Sequence, residues 1–142
     1  MSKRSLEKEL DCRGTITYAC QGTSMLPLLR QQKDLFTISK QLGRCKKFDV
    51  VLYKRKDGAY VLHRIVKVRK ESYVILGDNC IYKEYGITDD DIMGVMVRFI
   101  RNGREYSVDS KIYRGYVAIW HTLYPLRKLF RQIEYRIRVM IS

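Results

Sequence analysis

The sequence predicts a mainly β chain that ends in one amphipathic helix, and three observations carry that reading. Short runs rich in Val, Ile, Tyr, Phe and Thr recur across residues 15–108. Asp57-Gly58 and Asn102-Gly103 stand between such runs as hairpin turns. From Ile119 onward the apolar period changes from alternation to steps of three and four. The expected strands are 15–20, 34–40, 48–54, 59–69, 72–77 and 92–101, with a further one at 104–108. The helix is expected from about 116 to 140, with Pro125 near the start of its continuous part. The first ten residues are charged and either form a short helix or stay mobile.

A chain of 142 residues, 46% hydrophobic, suits one domain with a real core. It shows no internal repeat and no low-complexity stretch. Residues 1–13 read as a charged N-terminal segment, 14–110 as a β-domain and 115–142 as a basic amphipathic helix. Cysteines stand at 12, 20, 45 and 80 with no CxxC spacing, so neither a zinc site nor a cofactor is expected. They read as free thiols in a reducing compartment. Net charge is +13, from 28 basic and 15 acidic residues, which points to an anionic partner or surface.

The segment Gly22-Thr23-Ser24-Met25-Leu26-Pro27 lies in a loop between two strand-like runs. Gly22 admits an unusual backbone angle, and Pro27 stiffens the exit while pressing Leu26 toward an extended form. Ser24 is thus either the polar tip of a turn or a nucleophile held in a fixed loop. A serine hydroxyl needs a base within hydrogen-bond reach, usually oriented by a third group. His63, in Val61-Leu62-His63-Arg64-Ile65, shares one strand face with Val61 and Ile65, while Arg64, Val66 and Val68 share the other. It is either a satisfied core histidine or that base. Asp78, in Gly77-Asp78-Asn79, is either turn chemistry or the carboxylate that fixes the histidine tautomer.

These three segments, in this order and spacing, resemble the catalytic core of the type I signal peptidase family over roughly residues 14–100. Ile92-Met93-Gly94-Val95-Met96-Val97 is similar to the strand that closes that core. The resemblance implies an all-β catalytic domain, shared with the self-cleaving repressors of the SOS response, and a serine endopeptidase that removes a leader or signal-like segment. Bacterial members place a lysine where this chain has His63, whereas the endoplasmic-reticulum and archaeal enzymes place a histidine there. The implied roles are therefore Ser24 as nucleophile, His63 as base and Asp78 as third member. A second acidic residue expected five or six positions after Asp78 falls on Lys83 or Glu84, so Glu84 competes for that role, with Asp89-Asp90-Asp91 a weaker choice. The oxyanion loop is Gly22, Thr23 and Met25 around the Ser24 N–H. Glycine at position 22 removes the hydroxyl that many bacterial relatives carry there, leaving the Thr23 hydroxyl or another backbone N–H.

Signal peptidases proper carry a membrane anchor. Here the N-terminal residues lack the apolar stretch of a secretory signal, and no run of about 18 apolar residues reads as a spanning helix. Ile119, Leu123, Leu126, Phe130, Ile133, Ile137 and Met140 form one helical stripe, with Arg127, Lys128, Arg131, Arg136 and Arg138 around it against Glu134. Such a helix either lies on an anionic bilayer or covers the β-core or a partner. The expected location is cytoplasmic or peripheral on the cytoplasmic membrane face. Eleven tyrosines among basic residues would suit nucleic-acid stacking, but no nucleic-acid-binding motif is present, and this reading ranks below the peptidase. The other class kept open is a non-catalytic β-domain that binds peptide, anionic lipid or nucleic acid.

Overall fold

A computed structural model describes residues 3–142, the first three of them by backbone alone, so the first two residues of the expected N-terminal segment lie outside the described residues. In chain order the elements are helix α1 (Lys3–Arg13), strands β1 (Thr15–Ala19), β2 (Leu35–Lys40), β3 (Val50–Lys54), β4 (Tyr60–Val68), β5 (Tyr73–Leu76) and β6 (Glu84–Ile87), a 3-10 turn (Asp89–Asp91), strands β7 (Ile92–Arg101) and β8 (Arg104–Ser107), and helices α2 (Lys111–Thr122) and α3 (Tyr124–Ile141). The eight strands form one antiparallel sheet in the order β1-β2-β7-β3-β4-β5-β6, with β8 also on β7. The chain is therefore mainly β, and every strand expected from the sequence is present.

Long β7 organises the sheet. One edge pairs with β2 from Gly94 to Ile100. The other edge pairs first with β3 and then, from Arg98, with β8. Asn102 and Gly103 sit at φ 53° and 73°, the two left-handed angles that a tight hairpin turn demands. The apolar run Val50-Val51-Leu52-Tyr53 is buried on both faces, as expected for a central strand. Val50 and Leu52 join Met25, Leu29, Ile38 and Met96 in one core. Val51 and Tyr53 join Ile65, Tyr73 and Ile75 in a second core on the opposite face. Helix α1 packs Leu10 into the first core, and α2 adds Tyr113 and Val117. Each such burial contributes about 1.5–3 kcal/mol.

Of the two forms open to the N-terminal segment, residues 3–10 take the helical one, in α1, which Leu10 ties to the core. Three details differ from the sequence expectation. The C-terminal helix is two helices, because Pro125 falls in the first turn of α3 and cannot carry the hydrogen bond of a continuing helix. The first of these begins earlier than expected, where Ser110 caps the Tyr113 N–H at 3.3 Å. Strand β6 was not expected, since Glu-Tyr-Gly-Ile is short and polar; it forms by pairing Ile87 with Tyr73 and Glu84 with Ile75. Among the described residues, no helix is long and apolar enough to cross a membrane.

Candidate active site

Ser24 lies in the loop between β1 and β2, and that loop is fixed at several points. The Arg30 guanidinium forks onto the buried Asp34 carboxylate, with contacts of 3.0 Å and 2.8 Å. Arg101 of β7 donates to the carbonyls of Pro27 at 2.5 Å and Leu28 at 3.3 Å. Met25, Leu28 and Leu29 are buried beneath. Gly22 sits at φ 73°, the angle its place in the segment suggested, and the Leu26–Pro27 peptide is cis. Thr23 is exposed, and its carbonyl accepts from the Leu26 N–H at 3.2 Å. The Ser24 N–H donates to no carbonyl among the described residues, which leaves it available to an oxyanion.

His63 stands on β4 opposite Val51 and is 8% exposed. Its Nδ1 lies 3.3 Å from the Tyr53 hydroxyl. Tyr53 in turn donates to Glu84 Oε2 at 2.5 Å. A phenol has one proton; with that proton on Glu84, the Tyr53 oxygen accepts from Nδ1–H. This tautomer leaves the lone pair on Nε2, where a base needs it. Arg55 closes the chain, with Nε 3.1 Å from Glu84 Oε1 and Nη2 3.1 Å from Oε2.

Electrostatics support the same assignment of protons. Burial, and then the Arg55 charge, lower the His63 pKa to about 4 against the opposing pull of Glu84 and Asp78, so the ring is neutral at pH 7. Burial alone would raise the Glu84 carboxyl, but hydrogen bonds from Arg55 and Tyr53 outweigh it and hold that carboxyl below its ordinary range. Burial and the Glu84 bond push the Tyr53 phenol up, so it keeps its proton.

Gly77 lies where His63 and the Ser24 segment approach each other. A β-carbon there would stand 2.7 Å from Cys80 Sγ, 2.8 Å from the Ser24 carbonyl oxygen and 2.9 Å from His63 Nε2, so glycine is what lets the Ser24 backbone and the His63 ring approach this turn. The Asn79 N–H donates to that Ser24 carbonyl at 2.8 Å, and its side-chain amide donates to the Thr23 carbonyl at 3.0 Å. No hydrogen bond joins Ser24 Oγ to His63 among the described residues.

Asp78 is not brought to His63. Its carboxylate is fully buried and accepts from Arg64 Nε at 2.8 Å, Arg64 Nη2 at 2.9 Å and the Tyr116 hydroxyl at 2.8 Å. Arg64 follows His63 on β4 and so points to the opposite face, which carries Asp78 away from the histidine. The second acidic candidate, Glu84, reaches His63 through Tyr53. Asp89 is engaged by Tyr73 at 2.5 Å and Arg44 at 2.9 Å. Sequence reasoning missed Tyr53, Arg55 and Asn79. The available signal was parity: in the β3–β4 hairpin, Tyr53 falls on the face that Val51 shares with His63.

Ser24 and His63 line one cleft of about 660 Å³, walled by apolar side chains including Tyr18, Met25, Phe36, Leu52 and Leu62. His63 also borders a second hollow of about 420 Å³ with Arg55, Asn79, Glu84 and Arg131. All four cysteines are free thiols, and Cys80 lines both hollows. Among the described residues, no three His, Cys, Asp or Glu side chains converge as metal ligands would. Comparison with known proteins finds no family model, no curated protein and no solved structure that matches this chain.

Proposed function

We propose that the protein is a serine endopeptidase similar to the histidine-type signal peptidases, with the fold that likeness implies, and that it removes a leader or signal-like segment. The observation that carries this reading is that a constrained Ser24 and a His63 whose Nδ1 is held by Tyr53 line one cleft. Ser24 Oγ attacks the scissile carbonyl and passes its proton to His63 Nε2. Tyr53 holds Nδ1–H, and the Glu84 carboxylate stabilises the imidazolium that forms. The Ser24 N–H serves the oxyanion. His63 then protonates the leaving amine, and water, activated by the same nitrogen, releases the acyl group from Ser24. The apolar cleft walls favour an apolar peptide segment.

A second reading is a non-catalytic β-domain that binds peptide in the same cleft. It is favoured by the lack of a Ser24 Oγ–His63 hydrogen bond, although such bonds are often long before substrate is present. A mixture of peptides with apolar leaders, read by mass spectrometry, separates the two. The peptidase gives discrete cleavage products. Ser24→Ala and His63→Ala each abolish them, and the double variant is no worse than either single, because the pair acts as one unit. Independent, multiplicative losses, or products that survive Ser24→Ala, would refute the mechanism.

A further inference from the structure

Helix α3 is amphipathic, and its apolar face is left uncovered among the described residues: only its first two turns meet the β-domain, and from Leu129 onward every residue is exposed. Leu126, Phe130, Ile133, Ile137 and Met140 recur at steps of three and four and form one stripe. They are exposed, from 47% at Ile133 to 85% at Met140. The face that meets the β-domain is polar instead. The Tyr124 hydroxyl donates to the Ile81 carbonyl at 2.8 Å, and Arg127 donates to the Asp78 carbonyl at 3.0 Å while stacking on Trp120. Arg131 bonds the Asn79 side chain. The stripe continues through the exposed Leu123 onto the exposed Ile119 of α2. A helix that covers its own core would present the opposite face.

The charges on α3 decide what covers the stripe. Arg127, Lys128, Arg131, Arg136 and Arg138 stand against one acid, Glu134, which Arg138 meets only at 3.9 Å. Pairing the stripe with a second copy would press two such basic sets together, on chains that each carry +13. An anionic bilayer covers the stripe and meets the exposed Arg136 and Arg138, which the β-domain does not engage. We propose that α3, with Leu123 and Ile119, is a peripheral docking face for an anionic lipid bilayer. The docked helix would sit close to the Ser24 loop: Arg131 bonds Asn79, and Asn79 bonds the Ser24 and Thr23 carbonyls. The docking itself does not rest on the peptidase reading.

The test is sedimentation of the full chain with vesicles of phosphatidylcholine, with and without phosphatidylglycerol, in the wild-type and Ser24→Ala backgrounds. Both chains pellet with the phosphatidylglycerol vesicles, and high salt releases them. Arg136→Gln and Arg138→Gln each weaken binding about fivefold. Phe130→Ser with Ile137→Ser weakens it roughly tenfold or more. These side chains are exposed, so circular dichroism stays that of the parent. Failure to pellet with phosphatidylglycerol vesicles would overturn the proposal, as would binding that the Phe130/Ile137 variant leaves unchanged. A dimer in sedimentation equilibrium that this variant dissolves, without vesicle binding, would assign the stripe to a second copy instead.

Discussion

At the residue scale, a tyrosine stands between the histidine and the carboxylate. In a direct triad the acid touches the imidazole. Here the Tyr53 hydroxyl lies between, 3.3 Å from His63 Nδ1 and 2.5 Å from Glu84. It fixes the tautomer by geometry, while Glu84 supplies the charge. The two roles separate by mutation. Tyr53→Phe removes the Nδ1 acceptor and lowers kcat roughly tenfold to a hundredfold, with KM little changed, because proton transfer is affected and substrate contact is not. Glu84→Gln keeps an acceptor for Tyr53 but removes a negative charge that raises the His63 pKa, so the acid limb of the pH–rate profile moves to lower pH. Wild-type rates and an unmoved limb in both variants would remove Tyr53 and Glu84 from the mechanism.

At the element scale, the turn after β5 brings the site together. Gly77 permits the close approach, Asn79 grips the Ser24 loop, and Asp78 anchors the turn beneath α2. The Arg64–Asp78 pair is fully buried on both sides. Asp78→Asn leaves the Arg64 charge without its counter-ion and should destabilise the chain by about 3–5 kcal/mol, read from denaturant unfolding. Unchanged stability with a large loss of rate would instead give Asp78 a part in the chemistry. The sequence already marked this turn, because Gly-Asp-Asn is distinctive, but it left the direction of the Asp78 side chain open. Adjacent strand residues point to opposite faces, so whether Asp78 meets His63 or Arg64 depends on β4–β5 register and on Tyr116 arriving from α2. The His63–Tyr53 meeting was hidden for a similar reason: it needs the pairing of Val51 with His63, which sequence periodicity alone does not supply.

At the scale of the whole molecule, strand positions were legible because short β-branched and aromatic runs stand between turn residues, and the last hairpin because Asn-Gly suits the left-handed angles its turn requires. The apolar stripe of α3 was legible too, but its outward direction was not, since periodicity defines a face without saying what it faces. Within that frame the sheet holds the β3–β4 hairpin and the Ser24 loop around one cleft, and the central claim is that Ser24 is a nucleophile that His63 activates. It is tested most directly without knowledge of the substrate, by intact-mass measurement of the chain treated with a small fluorophosphonate. Ser24 Oγ attacks phosphorus, fluoride leaves, and the hydroxyl proton passes to His63. One adduct per chain is expected, mapped to Ser24 and absent in Ser24→Ala. His63→Ala slows labelling roughly a hundredfold or more. The base acts only when deprotonated, so labelling falls as pH drops through about 4 and is level from there to neutrality, rather than falling at the ordinary histidine value of 6.5. A chain that takes no adduct at Ser24, or one labelled equally fast without His63, would contradict the claim.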